Sequence, residues 1–129
     1  MERKAFFTTI DAAPVVPMRG DRGEQIKLIG PETAGAEAMD VHINQIDVEA
    51  GAGPLHYHEH AENAYVVLEG TLEITVEGDR RTVGPNSVAW IPPGLHHSVG
   101  NAGDVPARII EIYAPAGRDF HIVEESEER

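Results

Sequence analysis

The clearest pattern along the chain is an alternation of apolar and polar residues over residues 71–77. Its apolar positions are Leu72, Ile74 and Val76, and threonine or glutamate stands between and beside them. A period of two predicts a β-strand with one buried and one solvated face. Gly70 precedes this segment and Gly78 follows it, and because glycine favours turns, we expect further strands on both sides.

Several other short segments are rich in β-branched, aromatic or alternating apolar residues. We predict strands at residues 25–29, 64–69, 87–91, 97–99, 107–113 and 120–123, and a loop at residues 30–35. No segment keeps a helical period over three turns. Short strands with turns about every eight to twelve residues are typical of a β-sandwich or a β-barrel. The pattern therefore predicts an all-β domain without choosing between these two architectures.

Three histidines have positions that could place their rings together. His56 and His58 are two residues apart, so on a strand both side chains point to the same face. His97 follows the turn sequence Pro92-Pro93-Gly94, which fixes where the next strand begins. Imidazole nitrogens bind divalent ions at about 2.0–2.1 Å. A pair of histidines on one strand is a weak signal, but a third one after a rigid turn makes all three candidate metal ligands.

These segments resemble the two signature motifs of the cupins. The stretch Gly53-Pro54-Leu55-His56-Tyr57-His58, followed by residues 62–70, resembles the first motif, and residues 84–101 resemble the second. The resemblance covers roughly residues 51–115. It implies an antiparallel jelly-roll β-barrel of six to eight strands, with a metal ion inside its mouth held by His56, His58 and His97. Residues 106–117 are loosely similar to quercetin-dioxygenase-like cupins.

The fourth cupin ligand, a glutamate, has no unambiguous counterpart here. Counting back from Gly70 reaches Asn63, whereas counting forward from His58 allows either Glu62 or Asn63. Neighbours on a strand face opposite sides, so only one of them can point at the metal. The strand register favours Asn63. Its amide oxygen is neutral and a poor ligand, which predicts a three-histidine site with open positions.

The remaining aromatic residues and histidines receive more ordinary interpretations. Asn86 stands where the family has glycine, and asparagine tolerates the left-handed conformation well. We interpret His60 as lying near the site's rim and His96 as facing away from His97. The sequence indicates no partner for the other two histidines, and the three aromatic residues could line a pocket, although aromatics in a barrel more often belong to the core. These residues are His42, His121, Tyr65, Trp90 and Tyr113.

Composition limits the domain organisation and the partners. The 129 residues suffice for one domain, which we divide into an N-terminal arm at residues 1–24, a barrel at 25–123 and an acidic tail at 124–129. A net charge of -12 with only 10 Lys and Arg argues against a nucleic-acid partner. No apolar run approaches the ~20 residues of a membrane-spanning helix. The N-terminal segment also lacks a signal-peptide core, so we expect a cytoplasmic protein.

The sequence stops short of a reaction. With no cysteine, a metal must be held by imidazole, carboxylate or amide groups. We expect one divalent ion (Fe, Mn, Ni or Zn) and a metal-dependent enzyme, dioxygenase-like or isomerase-like, that acts on a small oxygen-bearing substrate; its catalytic residues stay unidentified. The alternatives are a non-catalytic module that binds a small acid or sugar, and a structural barrel with an adventitious metal. Residues 5–16 could pair with a second subunit, which predicts a homodimer.

Overall fold

The computed structural model describes residues 4–117 and 119–123, and it confirms an all-β antiparallel jelly roll. Eleven strands lie within these ranges: β1 (Val15–Pro17), β2 (Gly23–Ile29), β3 (Asp40–Ile46), β4 (His56–Tyr57), β5 (Glu62–Glu69), β6 (Leu72–Val76), β7 (Asp79–Val83), β8 (Val88–Ile91), β9 (His97–Asn101), β10 (Ala107–Ala114) and β11 (His121–Ile122). A single 3₁₀ turn, Arg19–Asp21, is the helical segment of the described chain, and it is too short to cross a membrane. The predicted acidic tail, 124–129, lies outside the described residues.

The strands form two antiparallel sheets that face each other instead of one closed barrel. The first sheet has the order β1-β2-β3-β10-β5-β8, and the second has the order β11-β4-β9-β6-β7. The main apolar core draws residues from both sheets, which places it between them: Ile46, Tyr65, Val67, Leu72, Ile74, Ile91, Ala107 and Ile109. Because apolar side chains fill one end of this space, the polar side chains that point inward collect at the other end.

The alternating segment forms the predicted strand, β6. Leu72 and Ile74 are buried in the core, and β6 pairs with β7 on one side and β9 on the other. Glu77 (φ 48°) and Gly78 (φ 82°) connect β6 to β7, and two positive φ angles in a two-residue loop give a type I′ hairpin turn. The left-handed conformation expected at Asn86 is also present, with φ 74°.

The structure contains strands that the alternation did not single out. The predicted arm, 1–24, includes β1, which pairs with β2 and places Val15 opposite Ile26. Ala13 packs with Ile26 and Ile43 on the face of the first sheet that points away from the main core. β3 escaped prediction because its core-facing positions include His42 and Asn44 as well as an isoleucine, which hides the period of two.

Candidate metal centre

The three predicted histidines converge at the polar end of the space between the sheets. His56 begins β4 and is paired with His97, the first residue of β9, while His58 comes directly after β4. All three are buried, and one potential ligand atom from each lies within 4.8 Å of the others. The described residues therefore bring together the three-histidine group that the sequence predicts.

Backbone carbonyl groups fix the direction in which each ring points. Nδ1 of His56 donates to the carbonyl of Pro54 at 2.9 Å, and Nδ1 of His97 donates to that of Leu95 at 2.8 Å. Nδ1 of His58 donates to the carbonyl of Asp119. A carbonyl oxygen only accepts hydrogen bonds, so each Nδ1 carries the hydrogen and each Nε2 keeps its lone pair.

The charge state of His56 and His97 also suits metal binding. Burial, followed by the charge of the neighbouring His97, lowers the pKa of His56 to about 4. Burial likewise lowers the pKa of His97, whose Nε2 is buried without a hydrogen-bond partner. A cation requires nitrogen atoms that keep a lone pair, and all three Nε2 atoms keep one, although that of His58 accepts a hydrogen bond from Asn63 Nδ2 at 3.1 Å. The three rings therefore fit a metal ion.

The turn that precedes His97 is tied to the segment that carries His58. Gly94 adopts φ 89°, and its amide donates to the carbonyl of His58 at 2.7 Å. On the other side of the turn, the amide of His96 donates to the Glu77 carboxylate at 2.6 Å. The proline–glycine turn thus fixes the position of His97 relative to His58 through the backbone.

Asp119 holds the other side of the His58 segment, and sequence reasoning did not identify it. Its carboxylate accepts hydrogen bonds from the amides of Glu59, His60 and Ala61 at 2.7–2.8 Å. Burial raises the pKa of this carboxyl, but these backbone hydrogen bonds together outweigh that effect and lower it to about 2. The backbone carbonyl of Asp119 also accepts a hydrogen bond from His58. Asp119 therefore holds the loop that carries His58 next to the three-histidine group, although it lies about 60 residues away along the chain.

Replacing Asp119 by alanine is therefore expected to weaken zinc binding by about 10–100-fold, the usual cost of losing a residue that orients a metal ligand. The three ligands stay in the chain, but the loop that carries His58 loses three hydrogen bonds. Competition titration with a zinc chelator measures the change. Asp104→Ala, at an exposed loop position, is the matched control. Equal affinities for the two variants would contradict this role.

Asn63, and not Glu62, faces the histidines. Asn63 is 1% exposed, and its Nδ2 lies 3.1 Å from Nε2 of His58 and donates to Oε2 of Glu111 at 3.0 Å. Glu62 is exposed and accepts a hydrogen bond from the indole of Trp90. Because a carboxylate only accepts, Glu111 holds the nitrogen end of the amide towards itself, and Oδ1 is left buried without a partner. Ligation of a metal by Asn63 stays a prediction.

The largest feature missed from the sequence is a buried charge pair beside the centre. Oε1 of Glu111 accepts hydrogen bonds from His42 Nε2 and Asn44 Nδ2, both at 2.8 Å, and His42 Nδ1 donates to Asp40 at 3.0 Å. Burial lowers the pKa of His42, but the hydrogen bonds to Asp40 and Glu111 raise it to about 9. Burial alone would raise the pKa of Glu111, yet His42 holds it far below its usual range.

A sequence signal for this pair did exist. Glu111 shares strand parity with Ala107 and Ile109, which are buried, so its side chain had to enter the core. His42 has the same relation to Ile46 on β3, and β3 pairs with β10 so that His42 and Glu111 are opposite each other. A carboxylate in the middle of an apolar strand requires a partner, and the partner is a histidine 69 residues away.

The predictions for the other histidines and for the aromatic residues are confirmed only in part. His60 is exposed on the loop beside the centre, and Tyr65 belongs to the core as expected. The core interpretation of Trp90 is wrong: it lies on the edge strand β8 and is 62% exposed. His121 has a partner, because its Nε2 lies 3.1 Å from Asp119. The rings of His96 and His121 both stack on Tyr57.

Two cavities adjoin the centre. The first has a volume of about 290 Å³, and its lining includes His56, Glu111, Tyr113, Phe120, Arg19 and Arg22. The second, of about 320 Å³, is lined by His58 and His42 among others. Tyr113 and Phe120 line both. Phe120 stacks on His56 with ring centroids 4.4 Å apart, so an apolar wall lies directly beside the metal-binding group.

The structure thus combines an antiparallel jelly roll with three inward histidines that could hold a metal ion. A family model of the cupin domain matches residues 44–113, more than half of the chain, and the chain therefore belongs to the cupin family.

Relatives with different activities share this domain. The mannose-1-phosphate guanylyltransferase of Escherichia coli K12 is 34% identical over 71 residues, which is 54% of this chain but only 15% of that protein. The tetracenomycin polyketide synthase protein TcmJ of Streptomyces glaucescens is 25% identical over 107 residues, covering 82% of this chain and 70% of that protein. The structure of the polyketide cyclase RemF from Streptomyces resistomycificus superposes with a TM-score of 0.81 at 21% identity, covering 96% of this chain and 89% of RemF.

Proposed function

We propose that this protein is a metal-dependent cupin enzyme that acts on a small oxygen-bearing molecule in the cavity beside His56. The observation that carries the proposal is the convergence of three buried histidines, one ligand atom from each within 4.8 Å of the others, beside a cavity of about 290 Å³ that His56 lines. That volume lies at the lower end of small-molecule sites.

His56, His58 and His97 are the proposed ligands of one divalent ion, Fe, Mn, Ni or Zn, with Asn63 as a weak fourth ligand. A bound ion of this kind supplies a Lewis acid for a substrate oxygen and, if it is iron or manganese, redox chemistry. The buried Glu111 carboxylate adds a negative charge that Asn63 separates from His58.

The other polar groups in the cavity can orient a bound molecule. Burial, followed by the charge of Glu111, raises the pKa of Tyr113 well above its usual value, and Tyr65 behaves in the same way. Both phenols therefore keep their protons at neutral pH, and both hydroxyls are hydrogen-bonded to Glu111. The likeness to the polyketide synthase protein TcmJ and to the polyketide cyclase RemF supports a polyketide-like molecule as the substrate.

A second candidate function is a non-catalytic module that binds a small acid or sugar. The observation that favours it is the pairing of Glu111 with His42. A general acid or base works best with a pKa near the operating pH, whereas His42 is raised to about 9 and Glu111 is lowered far below its usual range. These two groups bind and orient a ligand better than they exchange protons with it.

Metal analysis of untagged protein, followed by assays for turnover, distinguishes the two functions. We expect one equivalent of a divalent metal, and conversion of diketones, catechols or flavonols either with oxygen uptake or, under nitrogen, by rearrangement. His97→Ala is the control and should lose both metal and turnover. Metal with ligand-induced thermal stabilisation but no turnover would support the binding module, and absence of metal would contradict both.

The remaining expectations about partners and location stay predictions. A homodimer could form through the arm, where Phe7 is 90% exposed and β1 is an edge strand, and light scattering measures the oligomeric state. The predictions of a cytoplasmic location and of no nucleic-acid partner rest on sequence composition.

A further inference from the structure

Arg22 lines the cavity in a fixed orientation. It follows the 3₁₀ turn, and its carbonyl accepts a hydrogen bond from the amide of Asp47. Its Nη2 donates to the carbonyls of Gly51 and Val99, at 3.0 and 2.9 Å. These two carbonyls come from distant parts of the chain, so the guanidinium is attached to both and cannot swing into solvent without losing both hydrogen bonds.

Within the part of the chain that the structure describes, not every donor of this guanidinium has a partner. Nε of Arg22 is buried and has no hydrogen-bond partner, and within residues 4–117 and 119–123 no carboxylate forms an ion pair with Arg22. A buried donor without a partner is costly, and more so on a cation. This contrasts with Glu111 across the same cavity, whose charge is matched by His42.

Arg19 adds a second cation to the same cavity. It is exposed, and its guanidinium carbon lies 5.9 Å from the centre of the Phe120 ring. Phe120 in turn stacks on His56, so cation, apolar wall and metal-binding ring follow one another along the cavity. The protein as a whole has a net charge of -12, and a protein so acidic repels anions in general. The two arginines at this cavity therefore create a local site of positive charge on an otherwise acidic protein.

We propose that Arg22, assisted by Arg19, forms an anion-binding end of the cavity, and that the natural ligand is a small carboxylate with an aromatic or otherwise apolar body. The carboxylate meets the guanidinium groups, the body lies against Phe120, and a second oxygen reaches the three-histidine group. The last contact rests on the proposed function, whereas the first two do not.

The test uses two probes of nearly equal shape, salicylate and salicylamide, with calorimetric titration of both metal-free and zinc-loaded protein. Wild-type protein should bind salicylate about tenfold or more tightly than the neutral amide, because only the carboxylate forms charge-assisted hydrogen bonds with arginine. Arg22→Gln should lose this preference while its zinc affinity stays within about twofold. Arg81→Gln, exposed on β7 beside Asp79, should keep the preference, and Arg22→Lys should retain part of it.

The outcomes separate this proposal from the proposed function. Equal binding of the two probes by wild-type protein, or no binding of either, would overturn the anion site, and this comparison requires no variant to fold. A preference that survives in Arg22→Gln would overturn the assignment to Arg22. If zinc fails to bind but the preference for salicylate in metal-free protein depends on Arg22, the anion site stands and the metal-dependent function fails.

Discussion

Replacing His97 by alanine is expected to reduce zinc affinity by more than about a hundredfold. Removing a residue that only orients a metal ligand already lowers metal affinity by about 10–100-fold, and His97 is itself a proposed ligand. His97 is fully buried, its Nε2 is without a partner, and its Nδ1 is held by a backbone carbonyl. Its loss leaves two imidazoles and a neutral amide, a much weaker set of ligands. Competition titration against a chelator of known affinity gives the ratio directly.

The neighbouring His96 provides the control for this substitution. Its ring stacks on Tyr57 and is absent from the three-histidine group, so His96→Ala should keep zinc affinity within about threefold. Bound zinc at 100 times its Kd should stabilise the wild-type fold by about 2.7 kcal/mol, and this gain should vanish in His97→Ala. Similar losses in the two variants would show that the ion, if bound, is bound elsewhere.

Replacing His42 by leucine is expected to destabilise the fold by about 3–5 kcal/mol, the usual cost of leaving one partner of a buried ion pair alone. The Glu111 carboxylate would keep Asn44 and Asn63 as hydrogen-bond donors but lose its opposite charge. The double variant His42→Leu, Glu111→Leu removes both charges and should recover most of this loss. Urea unfolding gives the free energy of unfolding of the wild-type protein, the two single variants His42→Leu and Glu111→Leu, and the double variant, which together form a double-mutant cycle.

The pH dependence of stability provides a second readout of the same pair. The pKa of His42 rises from 6.5 to about 9 on folding, so its stabilising contribution is complete below about pH 6.5 and disappears as the pH rises through 9. The shift corresponds to at most about 3 kcal/mol. Unfolding free energies at pH 6 and pH 9.5 should therefore differ more for the wild-type protein than for the double variant. Identical pH profiles would show that His42 is neutral in the folded protein.

The parts of the fold that follow from local patterns were predictable. The alternation at Leu72, Ile74 and Val76 indicated β6, and the spacing of His56 and His58 together with the turn before His97 indicated the three-histidine group. These signals arise within short stretches of chain, where strand parity and turn chemistry determine which way a side chain points. Parity also indicated that Asn63 and Glu62 face opposite sides.

The residues that support the centre depend on contacts between distant segments. His42 meets Glu111 across two paired strands, Asp119 closes a loop 58–60 residues away, and Arg22 reaches Val99 across 77 residues. No local pattern encodes such distances. Moreover, each of these residues is charged or polar, and polar residues at inward positions remove the alternation that identifies a strand. His42 and Asn44 therefore concealed β3, whereas β10, which carries Glu111, was still predicted.

Anomalous diffraction from crystals of untagged protein, recorded on both sides of a metal absorption edge, tests the central claim most directly. The account predicts one anomalous peak between His56, His58 and His97, within about 2.0–2.2 Å of the three Nε2 atoms. A peak elsewhere, or three well-ordered rings with no metal after soaking in zinc, iron, manganese and nickel, would contradict it.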